Sequence, residues 1–112
     1  MKSILPTLRE KNRYVAFEVL SDSPISRGDV VKASWGGVLR FLGELGAAKT
    51  SLWVMDWDDA SKTGVLKVSH SSLDDVRAAL ALVKEVNGSR AAFRVLGVSG
   101  TVKKARAKFL GK

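Results

Sequence analysis

Residues 51–70 read Ser-Leu-Trp-Val-Met-Asp-Trp-Asp-Asp-Ala-Ser-Lys-Thr-Gly-Val-Leu-Lys-Val-Ser-His. Ser51–Trp57 and Lys62–His70 are short, rich in β-branched and aromatic residues, and joined through the polar stretch Asp58–Gly64, so they read as a β-hairpin. What flanks that hairpin decides the fold. Upstream, Ser26 with Asp29 three residues on has the form of a helix cap with an acid in the first turn. Val31, Ser34, Val38, Phe41/Leu42 and Leu45 then recur at helical spacing, and Gly46 fits the stop. Gly36-Gly37 inside this helix costs about 1 kcal/mol per residue relative to Ala, which points to a close approach to another backbone there, beside Trp35. Downstream, Ser72 with Asp75 repeats the capping pattern, and Leu73, Val76, Leu80 and Val83 predict a second helix to Val86, ended by Asn87-Gly88.

Outside the helices lie two further strands. Residues 12–20 alternate, with Val15, Phe17 and Val19 on one face and Tyr14, Ala16 and Glu18 on the other. Arg90–Val98 places Ala91, Phe93 and Val95 inward, and the tail after Gly100 reads as a short third helix. The order β-α-β-β-α-β plus a C-terminal helix predicts an α+β, ferredoxin-like (RRM-like) split βαβ sandwich. It has a four-stranded antiparallel sheet, two helices on one face, and the other face open or covered by a partner. The 112 residues read as one domain, with 1–11 an extended lead and 99–112 a basic C-terminal helix.

Charge is segregated. From Arg90 to Lys112 there are seven Lys/Arg and no acid, and residues 1–13 hold four basic residues against Glu10. Everything between holds eight basic and ten acidic residues, so the net +8 resides at the two ends. A localised positive field of this kind, with a pI near 10.1, favours a polyanion, nucleic acid first, as ligand. With no cysteine, disulfides, thiolate metal sites and cysteine nucleophiles are excluded. Met1–Pro6 is too short for a signal peptide, and no stretch approaches the ~20 apolar residues of a membrane span. A cytoplasmic protein without a membrane partner is expected.

In the C-terminal helix Val102, Ala105 and Phe109 fall within one arc, and Lys103, Lys104 and Lys108 fall opposite. One face should dock on the domain while the other presents ammonium groups. Ser99, Gly100 and Thr101 would add hydroxyls and free N–H groups for a phosphate at the helix start, and Arg94 and Arg106 further cations. Arg9, Lys11 and Arg13 would form a second contact, since the first strand begins where the last one ends. A merely solvated basic helix is the plainer alternative. Gly97-Val98-Ser99-Gly100 fits the G-x-x-G of KH loops, but the preceding strand argues against that fold. The third strand lacks an aromatic residue and does not match the RNP1 pattern, so base stacking on the central strands is not expected.

Trp53, Met55 and Trp57 share an edge strand, and with Tyr14 on the open face they are candidates for a protein interface, with core packing as the alternative. Asp56, Asp58 and Asp59 have the chemistry to hold Mg²⁺, though a polar loop tip explains them as well. His70, the sole histidine, defines no metal site, and Asn87-Gly88-Ser89 matches a glycosylation acceptor in form only. No nucleophile elbow, P-loop or paired-carboxylate motif occurs, so the chain by itself reads as non-catalytic. An acylphosphatase-like enzyme on the same fold would need an Arg/Asn phosphate site in the first loop, and Ser21–Ser26 has neither residue.

Three blocks of the sequence resemble a known family. They are Leu5-Pro6-Thr7-Leu8-Arg9-Glu10-Lys11-Asn12-Arg13-Tyr14 leading into the strand to Glu18, Gly43-Glu44-Leu45-Gly46, and Arg94 through Ser99-Gly100-Thr101-Val102-Lys103-Lys104-Ala105. These are similar to the archaeal ribonuclease P protein component 2 family, relatives of a eukaryotic ribonuclease P and MRP subunit. The resemblance spans nearly the whole chain, and the last block is its most specific part. It implies a subunit of the ribonucleoprotein that cleaves the 5′ leader from precursor tRNA. In that family the RNA carries the catalytic centre and its Mg²⁺, and the protein supports the RNA. The resemblance also implies pairing with ribonuclease P protein component 3, two copies of each, with a possible homodimer inside the assembly. The competing expectation is a protein–protein adaptor whose basic tail is incidental.

Overall fold

The computed structural model describes residues 11–112. Arg9, and the expected extended lead apart from Lys11, fall outside these residues. In chain order the elements are β1 (Asn12–Ser21), α1 (Arg27–Ala48), β2 (Trp53–Asp58), β3 (Thr63–Ser69), α2 (Leu73–Ala81), β4 (Glu85–Val86), β5 (Ser89–Ser99) and α3 (Val102–Ala105). The last continues as a π-helical turn over Arg106–Leu110. The strands pair antiparallel in the order β2-β3-β1-β5-β4. Helices α1 and α2 cover one face, where Val30, Val38, Val76 and Leu80 join Val15, Phe17, Val19, Leu66 and Val68 in the core.

The sheet has five strands, not the expected four. Helix α2 stops at Ala81, and Glu85–Val86 pairs with Arg90–Ser89 as a hairpin arm. Asn87 (φ 51°) and Gly88 (φ 79°) are both left-handed, as a two-residue hairpin turn requires. Asn-Gly ends helices and closes hairpins equally well, and the alignment with β5, which buries Val86, decides between them.

The two caps behave differently. At Ser26 the box forms: Asp29 N–H donates to Ser26 Oγ (3.2 Å) and Ser26 N–H to Asp29 Oδ2 (3.0 Å). Ser72 makes no cap bond, and its hydroxyl donates to Lys49 O at the end of α1 instead. Within α1 the buried positions are Val30, Ser34, Val38 and Ala47, whereas Val31, Phe41 and Leu45 are exposed. Leu45 is thrown out of phase by Gly43, whose φ of 75° kinks the helix, so Gly46 is not the stop. A Cβ at Gly36 would meet nothing within 4 Å, and Gly37 makes room for a side chain and not, as expected, for another backbone: a Cβ there would meet Val83 Cγ2 at 2.7 Å, with Ala79 O only at 3.6 Å.

The register sets five rows across the four longer strands. Val54–Leu66–Val15–Val98 and Trp57–Gly64–Phe17–Val95 face the core. Trp53–Lys67–Tyr14–Ser99, Asp56–Val65–Ala16–Gly97 and Asp58–Thr63–Glu18–Arg94 face the other side. Two bulges create this arrangement, because Met55 in β2 and Leu96 in β5 lie opposite no partner. An extra residue reverses the alternation beyond it. Trp57 is therefore turned into the core, where it stacks on Phe17 (5.9 Å, 18°) across Gly64. A Cβ at Gly64 would overlap Asp56 O and crowd both rings.

Candidate nucleic-acid interface

The second face of the sheet is covered in part by the chain's own C-terminal helix. Ala105, Ala16 and Val65 are fully buried yet lie outside the main core cluster, the signature of a small separate contact. Phe109 packs against Gly97, where a Cβ would overlap ring atoms Cε1 and Cζ. Thr101 Oγ1 accepts Lys104 N–H (3.1 Å) and starts the helix, and Gly111, left-handed at φ 71°, closes it. The arc drawn from spacing is thus observed. Ala105 is buried, Val102 and Phe109 are half-buried, and Lys103, Lys104 and Lys108 are exposed. Lys108 Nζ stands 5.5 Å from the Phe109 ring centroid.

Several of the expected cations are not free. Arg106 Nε donates to Asp56 Oδ2 (2.9 Å), Lys112 Nζ to Asp58 Oδ2 (3.2 Å), and Arg94 Nε lies 3.6 Å from Glu18 Oε1. Arg106 and Arg94, expected as phosphate ligands, are thus also partners of mid-chain acids. The Met55 bulge turns Asp56 and Asp58 toward the helix, and Arg94 meets Glu18 directly across the β1–β5 pairing. These pairs are part-exposed, and pairs of that kind add little to stability. The hydrogen bond from Lys112, followed by those from Ala60 N–H and the Ser61 hydroxyl, holds the Asp58 carboxyl below the usual aspartate range. Asp59 accepts a hydrogen bond from Trp57 Nε1 (2.6 Å). Among the described residues no group of three or more His, Asp or Glu is placed to hold a metal ion.

Tyr14 pairs with Ser99, so the backbone at the head of β1 runs alongside the end of β5. Arg13 has the parity of Val15 and leaves the sheet on its core-facing side, opposite the side the C-terminal helix covers. Among the described residues Lys11, Arg13, Lys103, Lys104 and Lys108 are in no ion pair, and Arg13 donates only to Asn12 O (3.0 Å). At the helix start the Thr101 side-chain oxygen already serves its own helix, accepting Lys104 N–H.

The aromatic candidates are separated. Trp53 is 64% exposed at the sheet edge, in the row of Lys67 and half-buried Tyr14. Trp57 is half-buried against the core, its Nε1 also donating to Ile25 O (3.2 Å), and Met55 sits half-buried in the bulge. Sequence reasoning missed the partner Trp53 does have. Val31, Ser34 and Trp35 of α1 with Arg27, Leu52, Trp53 and Val54 line a groove of about 270 Å³. The exposed i, i+4, i+8 stripe Val31, Trp35, Leu39 was its signal, a second apolar stripe on a helix that already had one for the core.

Comparison with known proteins supplies the lineage. The model of the Rpp14/Pop5 family matches residues 13–110. The chain belongs to the Rpp14/Pop5 family. It is 46% identical to the protein named ribonuclease P protein component 2 of Thermococcus gammatolerans, over 99% of this chain and 92% of that one. A Methanosarcina acetivorans protein of the same name is 46% identical over 98% of this chain and 82% of its own. A chain in the cryo-EM structure of yeast ribonuclease MRP superposes with a TM-score of 0.69 at 14% identity, over 88% of this chain and 86% of that one. At that identity the likeness concerns the fold, and this Rpp14/Pop5 family member shares its sheet-and-helix arrangement with that chain.

Proposed function

We propose that the protein is a non-catalytic, RNA-binding subunit of ribonuclease P, supporting the catalytic RNA that removes the 5′ leader from precursor tRNA. The observation that carries this reading is the docked helix with Lys103, Lys104 and Lys108 outward and, among the described residues, in no ion pair. The names of its relatives support the same assignment. The mechanism is electrostatic: ammonium groups held on a rigid sheet screen phosphate repulsion and let RNA helices approach, while Mg²⁺ for the reaction stays on the RNA. The work belongs in the cytoplasm, in a complex with ribonuclease P protein component 3 and a second copy of this chain.

Three or four engaged phosphates set the slope of log affinity against log salt at about −2 to −4. Replacing Lys103, Lys104 and Lys108 by Glu should flatten that slope and abolish stimulation of reconstituted precursor-tRNA cleavage at low magnesium. Unchanged cleavage by a folded triple variant refutes the site. A second reading, a protein adaptor without RNA contact, is favoured by the Trp35–Trp53 groove. It wins if filter binding shows no salt-dependent retention of ribonuclease P RNA by the protein alone or with its protein partner.

A further inference from the structure

The basic helix has little to hold its direction. It offers one α-turn, one π-turn and a packing patch of two alanines and a valine, with Val102, Phe109 and Leu110 half-buried around it. A pair of carboxylates on β2 ties it further. Asp56 and Asp58 lie in successive outward rows of the sheet, and they take Arg106 and Lys112 at 2.9 and 3.2 Å. They point outward only because Met55 is bulged; in regular alternation Asp56 would face the core and Trp57 the helix. Bulges commonly re-aim side chains in this way. Arg106 lies in the π-turn and Lys112 just past Gly111, so the two acids tie the helix within its last turn and immediately beyond its end.

We propose that Asp56 and Asp58 are positioning residues for RNA recognition, acting through Arg106 and Lys112 to align Lys103, Lys104 and Lys108 with successive phosphates. This rests on the RNA-binding reading above and adds a claim opposite in sign to simple electrostatics. Removing acids from a polyanion-binding protein should tighten binding if only the field matters. If the acids position the helix, the same change weakens it.

The test is Asp56→Ala with Asp58→Ala in the full chain, bound to a ribonuclease P RNA transcript, with amide hydrogen exchange read over 102–112. The expected result is faster exchange in that segment alone, with affinity lower by about fivefold to eightfold for each phosphate no longer engaged at ~0.1 M salt. Charge reversal guards against a folding defect. Asp56→Arg should weaken binding despite its added charge, and Asp56→Arg with Arg106→Asp should restore it. Unchanged exchange, or a loosened helix with equal or tighter binding, overturns the proposal. The Lys103/Lys104/Lys108→Glu control separates the two claims. If it leaves affinity unchanged, the RNA site is wrong and the positioning role falls with it, and exchange then identifies the carboxylates as a purely structural latch.

Discussion

Gly97→Ala tests how the C-terminal helix is held, because its effect should change sign with the residue at 109. Gly97 does not have a positive φ, so alanine fits its backbone and stabilises a strand position by about 0.5–1 kcal/mol relative to glycine. The added Cβ, however, occupies the space of the Phe109 ring, Cδ1 included at 2.6 Å, and the ring must leave. Full burial of Phe is worth about 1.5–3 kcal/mol; Phe109 is half-buried, so losing its seat costs about 1–1.5 kcal/mol on the same scale. Gly97→Ala should then be neutral to destabilising by up to ~1 kcal/mol in the natural chain, and stabilising by about 0.5–1 kcal/mol in a Phe109→Ala background. Urea unfolding of the four proteins at neutral pH, followed by tryptophan fluorescence, yields the coupling directly. An equal effect of Gly97→Ala in both backgrounds would show that Phe109 does not sit on Gly97, and the helix placement would fall with it.

Gly88→Ala meets no neighbour within 4 Å but sits at φ 79°; it should cost about 1 kcal/mol through backbone strain alone, measured by thermal unfolding, and an unchanged midpoint would contradict the hairpin turn. Asp58 should titrate below the usual aspartate range when its carboxyl ¹³C shift is followed against pH. Its folded value is depressed, so the pairing with Lys112 contributes above the usual aspartate range and is lost as pH falls through the folded value. Lys112→Ala should return Asp58 toward that range, and no movement would remove the pair.

Much of the fold is legible locally. The alternation of 12–20, the Ser26–Asp29 box and the arc of Val102, Ala105 and Phe109 are short-range patterns, and their structural outcomes match. The sequence misleads where one local pattern serves two structures. Asn87-Gly88 suits a helix stop as well as a hairpin turn, Ser72 has the form of a cap it does not make, and Val31 and Leu45 keep a helical spacing that does not bring them into the core.

The sequence by itself determined that cations gather at the chain ends, that the architecture is α+β with a β-hairpin between its two helices in chain order, and that the last helix is amphipathic. Composition and near-neighbour periodicity carry those facts. Only tertiary structure decided which cations are free and which face each aromatic takes. Arg106 and Asp56 stand fifty residues apart, and a bulge exists only relative to a partner strand. The extra residue at Met55 changes nothing in local propensity, yet once β3 is alongside, it sends Trp57 to the core and two carboxylates to the helix.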